Sequence, residues 1–85
     1  MVEFDYTIKD ELGIHVRPAG QLAQVVKELD SKVTMSCHDK SAEVTKIFAV
    51  MGLAVKNSDT VHIVVEGGNE EVSAEAVKKF LEENL

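Results

Sequence analysis

Residues 13–20 read GIHVRPAG, and this stretch separates two different hydrophobic patterns. Before it, apolar residues occupy every second position over Val2–Ile8, which predicts a strand with one buried face. After it, apolar residues recur with a helical period over Ala19–Leu29, which predicts an amphipathic helix of about three turns. The quoted stretch therefore lies where a strand and a short loop at 10–13 give way to a helix.

The rest of the chain predicts three further strands and two further helices. In chain order, the apolar pattern predicts a strand at Val33–Cys37, a strand at Ala42–Val44, a helix at Ile47–Ala54, a strand at Val61–Val65 and a helix at Val72–Leu81. The polar residues His38–Ser41 predict a turn between the first two of these strands. The predicted order is β-α-β-β-α-β-α. An α+β fold, with a four-stranded antiparallel sheet and three helices on one face, buries both sets of apolar residues.

Length and composition predict one folded domain over residues 1–85. Apolar residues make up 45% of the chain and charged residues 28%, which is typical of a globular domain. The formal net charge of −6 argues against nucleic acid as a partner, because a phosphate backbone requires an excess of Lys and Arg.

Cysteine content and apolar run length predict a cytoplasmic protein. Cys37 is the single cysteine, so no internal disulfide forms and a reducing compartment is expected. The N-terminal residues lack the pattern of a signal peptide, and no apolar run approaches the length of about 18 residues that a membrane-spanning helix needs. We therefore expect no membrane insertion.

The stretch at 13–20 also contains the side chains that are best suited to a chemical role. It contains His15, together with Arg17 and Pro18, the only arginine and the only proline of the chain. Pro18 fits the first turn of a helix, where free N–H groups form an anion site. The positive helix end favours a neutral imidazole, whose nitrogen attacks phosphorus, and an arginine grips phosphate oxygens. The residues thus indicate phosphorylation of His15, whereas a plain polar surface histidine is the alternative that they leave open.

No metal or cofactor is expected from the remaining ligand-type residues. Zinc needs three or four convergent ligands. Cys37 and His38 are neighbours on a strand or at its end, so their side chains should diverge, and His62 should point outward from its own strand. Cys37 falls on the apolar face of its strand, which predicts a buried small hydrophobe rather than a nucleophile.

Three segments together resemble a known family. GIHVRPA at 13–19, KIFAVMGL at 46–53 and EGGNEEVSAEAVKKFLEENL at 66–85 are similar to HPr, the histidine-containing phosphocarrier of the bacterial phosphoenolpyruvate-dependent sugar phosphotransferase system. The resemblance covers the whole chain and implies the open-faced β-sandwich of that family. It implies that His15 accepts a phosphoryl group on Nδ1, and that Arg17 steadies the group.

The resemblance also implies partners. Phospho-enzyme I would donate the phosphoryl group and the IIA domains of sugar permeases would accept it, so the chain would be a monomeric relay rather than a stand-alone enzyme. The implied docking residues beside the active centre are Val16, Gly20, Ile47, Phe48 and Met51. An HPr-fold regulatory or interaction module outside sugar transport, for example in nitrogen-linked signalling, is the alternative.

The chain departs from the family at two informative positions. Lys46 stands where many Gram-positive relatives have a regulatory serine, and Thr45 and Ser41 are the nearest hydroxyls. We expect no kinase control at residue 46, and we expect Thr45 to cap the second helix one residue early. Ala54 replaces a usual glycine after that helix, and we expect it to affect how the helix ends.

Overall fold

The computed structural model describes residues 1–85 and has the predicted order of elements. The strands are β1 (Val2–Thr7), β2 (Lys32–Cys37), β3 (Lys40–Glu43) and β4 (Thr60–Glu66), and the helices are α1 (Val16–Lys27), α2 (Ile47–Met51) and α3 (Glu70–Asn84). No helix combines the length and the apolar character that crossing a membrane requires.

The four strands form one antiparallel sheet in the order β1-β4-β2-β3. The central strand β4 pairs with β1 on one side, where Phe4 faces Ile63, and with β2 on the other, where Met35 faces Ile63. The three helices cover one face of this sheet. The predicted α+β fold with an open face is therefore confirmed.

The core lies between that face of the sheet and the helices. Its most completely buried members are Ile8, Leu22, Val33, Met35, Val44, Val50, Val61, Ile63, Val65, Val77 and Leu81. Burial of one large aliphatic side chain stabilises a fold by about 1.5–3 kcal/mol relative to exposure. The alternating valines and isoleucine of β4 therefore stabilise the sheet, because the strand pairs with a neighbour on each edge and contacts α3 on its covered face.

Local backbone geometry shifts several predicted boundaries. The hairpin turn contains only His38 and Asp39, both with positive φ (55° and 62°), so β3 begins at Lys40 rather than at Ala42. Two consecutive residues of this kind make the tight turn whose twist matches antiparallel strands. Ala54 lies outside α2, which ends at Met51.

The buried face of α3 differs from the predicted one. Val72 is 58% exposed, so its assignment to the buried stripe is wrong, and the small residues Ser73 and Ala74 are buried instead. The Ser31 hydroxyl donates to the Ser73 hydroxyl at 2.8 Å, which satisfies the one buried polar side chain. The small side chain at residue 73 lets α3 approach Ser31, which precedes β2.

The loop between β1 and α1 is held by hydrogen bonds that its backbone N–H groups donate. Leu12 N–H donates to Asp10 Oδ1 at 2.8 Å, Gly13 N–H donates to Asp10 O at 3.0 Å, and Ile14 N–H donates to Val55 O at 3.1 Å. Gly13 has φ +69°, and a β-carbon there would overlap the Val55 carbonyl oxygen. Glycine is thus required both by backbone conformation and by space.

A polar cluster occupies the open face of the sheet. His62 Nδ1 lies 2.6 Å from Asp5 Oδ1 and His62 Nε2 lies 2.8 Å from Glu3 Oε1. These hydrogen bonds, that to Asp5 above all, raise the pKa of His62 above its ordinary value of 6.5. The cluster ties β1 to β4 on the side that carries no helix.

We expect Gly13→Ala to lower the free energy of unfolding by about 3 kcal/mol or more, because left-handed strain and a backbone clash add together. Gly67→Ala is the matched control. Gly67 also has a positive φ (+81°) but no atom near its missing β-carbon, so we expect it to cost only about 1–2 kcal/mol. Urea denaturation of both variants measures the difference, and equal losses would contradict the close approach.

The His62 cluster predicts a pH-dependent contribution to stability. Because the folded pKa of His62 is raised, its stabilisation is fully present below the unfolded value of about 6.5 and is lost as pH rises through the raised pKa. We therefore expect the native protein to melt above its His62→Gln variant at pH 5.5 and to lose that advantage by pH 9. Thermal melts at several pH values test this, and a difference that does not change with pH would contradict it.

Candidate functional site

His15 is the N-cap residue of α1. Its backbone is extended (φ −117°, ψ 179°), and its carbonyl accepts the Ala19 N–H at 3.0 Å. Its half-buried side chain makes no capping hydrogen bond. The helix therefore uses the backbone of His15 and leaves the imidazole free for chemistry.

The first turn of α1 offers unpaired donors beside His15. Val16 and Arg17 occupy the first two helical positions, where no intrahelical acceptor exists for their backbone N–H groups. Pro18 follows at the third position, is buried, and has no N–H, which confirms its expected place in the first turn. These N–H groups and the helix dipole favour an anion at this end.

The electrostatics of this end favour an incoming negative charge. The Arg17 side chain is exposed and takes part in none of the ion pairs of the chain. The first turn of α1 contains no acidic residue, whereas that of α3 contains Glu70 and Glu71. Although the chain has a net charge of −6, no carboxylate in the first turn of α1 neutralises the positive end of that helix.

Helix α2 supplies the apolar side of the site. Its half-buried Ile47 approaches α1, since Ile47 Cδ1 lies 3.8 Å from where a β-carbon on Gly20 would be. Phe48 points away from Ile47 and is 86% exposed, while Met51 is partly exposed and Val50 is buried. The Phe48 ring therefore lies outside the core.

Two more exposed apolar side chains lie close to His15 in the sequence, at positions 12 and 16. Val16 is exposed, and Leu12, which the sequence analysis did not single out, is 73% exposed in the preceding loop. With Phe48 and Met51 they make four of the six large hydrophobic side chains exposed on the chain. The signal for Leu12 was a leucine within an otherwise polar loop. We call Leu12, Val16, Phe48 and Met51 the apolar patch.

The start of α2 differs from expectation. Lys46, not Thr45, is the N-cap residue, and it makes no side-chain capping bond. The Thr45 hydroxyl instead faces Glu43, with Oγ1 at 3.5 Å from Oε1. The Val50 N–H donates to the Lys46 carbonyl at 3.1 Å, so the first turn closes on residue 46 and the predicted Thr45 cap is wrong.

The end of α2 shows what Ala54 does. Ala54 has φ +54°, in the left-handed region that favours glycine, and its N–H donates to Met51 O at 3.1 Å. The chain therefore keeps the backbone turn expected of glycine at this position, at a cost of about 1–2 kcal/mol for a residue with a β-carbon.

Cys37 and His38 do not point apart. Cys37 is buried as predicted, and burial, with a smaller effect of the Asp59 charge, raises the pKa of its thiol. The side chain of His38, however, turns to the same side as Cys37, and both approach Asp59. The expected divergence is wrong because His38 lies in the turn with positive φ, where strand alternation does not apply.

Comparison with known proteins supports one family. Residues 2–83 match the family model described as PTS HPr component phosphorylation site. The chain is 37% identical over 78 residues to phosphocarrier protein HPr of Lysinibacillus sphaericus, covering 92% of this chain and 89% of that one. It is 32% identical to phosphocarrier protein HPr of Mycoplasma genitalium, covering 99% and 97% of the two chains.

Solved structures of HPr proteins have the same fold as this chain. The histidine-containing phosphocarrier protein of a mycoplasma superposes with a TM-score of 0.91 at 27% identity, covering 96% of this chain and 93% of that chain. An HPr dimer from Thermoanaerobacter tengcongensis superposes with a TM-score of 0.75 at 28% identity, covering 98% and 95%. Element order, sheet topology and the match over residues 2–83 lead to one conclusion: the chain belongs to the HPr family of phosphocarriers of the phosphotransferase system.

Proposed function

We propose that His15 accepts a phosphoryl group from phospho-enzyme I and passes it to IIA domains during sugar uptake. The observation that carries this proposal is the free imidazole at the N-cap of α1, beside unpaired backbone N–H groups and the unpaired Arg17 guanidinium. Membership of the HPr family supports it. In this role the protein is a phosphoryl relay in the cytoplasm. It is not a stand-alone enzyme, because it is itself one of the reactants.

The transfer exchanges one bond for another. An imidazole nitrogen of His15, Nδ1 by family resemblance, attacks the phosphorus held on the donor histidine. A new P–N bond forms while the donor P–N bond breaks, and the donor imidazole leaves with the electron pair. The reverse roles apply when a IIA domain takes the group, so the exchange balances without a further reactant.

The surroundings of His15 stabilise the transferred group. The phosphoryl oxygens carry negative charge throughout the transfer, and the backbone N–H groups of Val16 and Arg17 are donors without intrahelical partners. The Arg17 side chain adds a cation able to bind two oxygens at once. Its exposure lets it follow the group as a partner approaches.

Docking uses the apolar patch together with Gly20 and Ile47. An exposed phenylalanine on the helix that contacts α1 gives a partner apolar area to cover, and such exposed patches mark interaction sites. Ile47 packs against α1 at Gly20, where a β-carbon would lie 3.8 Å from Ile47 Cδ1, so α2 is held against the helix that begins at His15. The protein acts as a monomer here, and this remains a prediction, since a related structure is a dimer.

A phosphorylation assay tests the role of His15. With phosphoenolpyruvate and enzyme I, we expect an acid-labile, base-stable phosphate on the native chain and none on His15→Ala. His62→Gln is the matched control, since His62 is a half-buried histidine outside the site, and it should be labelled normally. Arg17→Ala should fold normally and slow transfer by about 10-fold or more, as expected for loss of one charged stabilising group. Normal labelling of His15→Ala contradicts the proposal.

The apolar patch is tested by comparing two exposed side chains. We expect Phe48→Ala to weaken binding to enzyme I by about 10-fold or more, as truncation of a central aromatic contact does, with little change in melting temperature. Val72→Ala on α3, which is also exposed, should change neither quantity. Calorimetric titration and thermal melts measure both variants, and equal binding by Phe48→Ala and the native chain would exclude the ring from the interface.

A further inference from the structure

A second group of reactive side chains lies at the hairpin turn, apart from the residues assigned to phosphoryl transfer. Cys37 Sγ, a ring nitrogen of His38 and a carboxylate oxygen of Asp59 all lie within 4.8 Å of one another. They come from the end of β2, the turn into β3 and the residue before β4. The sheet topology thus brings a thiol, an imidazole and a carboxylate together.

Two of the three groups are held firmly. Cys37 is buried in the core cluster, with 8% of its surface exposed. The Asp59 carbonyl accepts the Ile8 N–H at 2.9 Å, and Asp59 Oδ2 accepts the Lys56 N–H at 2.9 Å. The backbone at 59 and its carboxylate are therefore positioned before any ligand arrives.

His38 is the residue of the three whose side chain is free to move. Its Nε2 lies 2.8 Å from Asp59 Oδ2, and 49% of its side chain is exposed. Its positive φ of 55° turns the side chain out of the strand alternation and toward Cys37. Its exposure gives a cation a path to the group from solvent.

We propose that Cys37, His38 and Asp59 bind a zinc ion. Thiolate, imidazole and carboxylate are the ligand types that Zn²⁺ takes in proteins, and three protein ligands leave a fourth position for water. On binding, the thiol proton of Cys37 passes to solvent and the thiolate sulfur bonds the metal. No other set of three such groups converges in this way in the structure.

The required movement is small. Tetrahedral zinc with bonds of about 2.0–2.3 Å separates its ligand atoms by about 3.3–3.6 Å. The hydrogen bond between His38 and Asp59, at 2.8 Å, must therefore open by roughly 0.5 Å, and no pair of ligand atoms must close by more than about 1 Å. The exposed His38 ring is able to supply the part of this movement that involves its own nitrogen.

The test titrates Zn²⁺ into the reduced full chain by calorimetry. We expect one saturable site per chain, with affinity at least tenfold weaker in Cys37→Ser and in His38→Asn. Asparagine is chosen because it tolerates positive φ but is too short to replace the imidazole. His62→Gln, which removes a histidine that contacts two carboxylates on the open face, is the matched control and should bind normally.

Cobalt gives a direct reading of the sulfur ligand. Co²⁺ added at a concentration that fills the site of the native chain should give an intense thiolate charge-transfer absorption in the near ultraviolet, and the same concentration should give a much weaker band with His38→Asn. This reading does not depend on whether Cys37→Ser folds, because it uses the native cysteine. Absence of the band, unchanged zinc affinity in His38→Asn, or loss of zinc binding in His62→Gln would each overturn the proposal.

Discussion

The approach of the Gly13–Ile14 backbone to the carbonyl of Val55 is the contact on which the site depends. It fixes the loop one residue before His15, and it does so against the segment that follows α2. The same contact therefore positions both the imidazole of His15 and the apolar side chains of α2. Ala54, which accepts a left-handed backbone immediately before Val55, helps to present that carbonyl.

Charge is distributed so that one helix start stays positive. The chain carries fifteen acidic residues, and the start of α3 is occupied by two of them, one of which also binds the N-terminal ammonium group. The start of α1 has none, and Arg17 beside it lacks a partner. A dianionic group held there meets little repulsion from its own turn, although the protein as a whole is acidic.

The fold and the position of His15 were predictable from sequence because both follow from periodicity. Alternation in Val61–Val65 and helical spacing after Ala19 determine which residues face the core. What sequence did not predict depends on backbone angles and on neighbours distant along the chain. His38 turns toward Cys37 because two residues with positive φ make the hairpin. Val72 is exposed, whereas the neighbouring Ser73 is buried and has a hydroxyl partner in Ser31, 42 positions away along the chain.

The strand order also determines when this site can form. The β2–β3 hairpin closes through a two-residue turn, whereas β1 pairs only with β4, so that Val2 must meet Val65. Closing a long loop lowers chain entropy before the new contacts stabilise the structure, so folds that pair strands distant in sequence form slowly. During synthesis the hairpin can form early, but β1 has no partner until β4 is complete. The loop that carries His15 lies between β1 and α1, so a nascent or partly folded chain has an incomplete site, and the proposed phosphoryl transfer requires the whole sheet to have assembled.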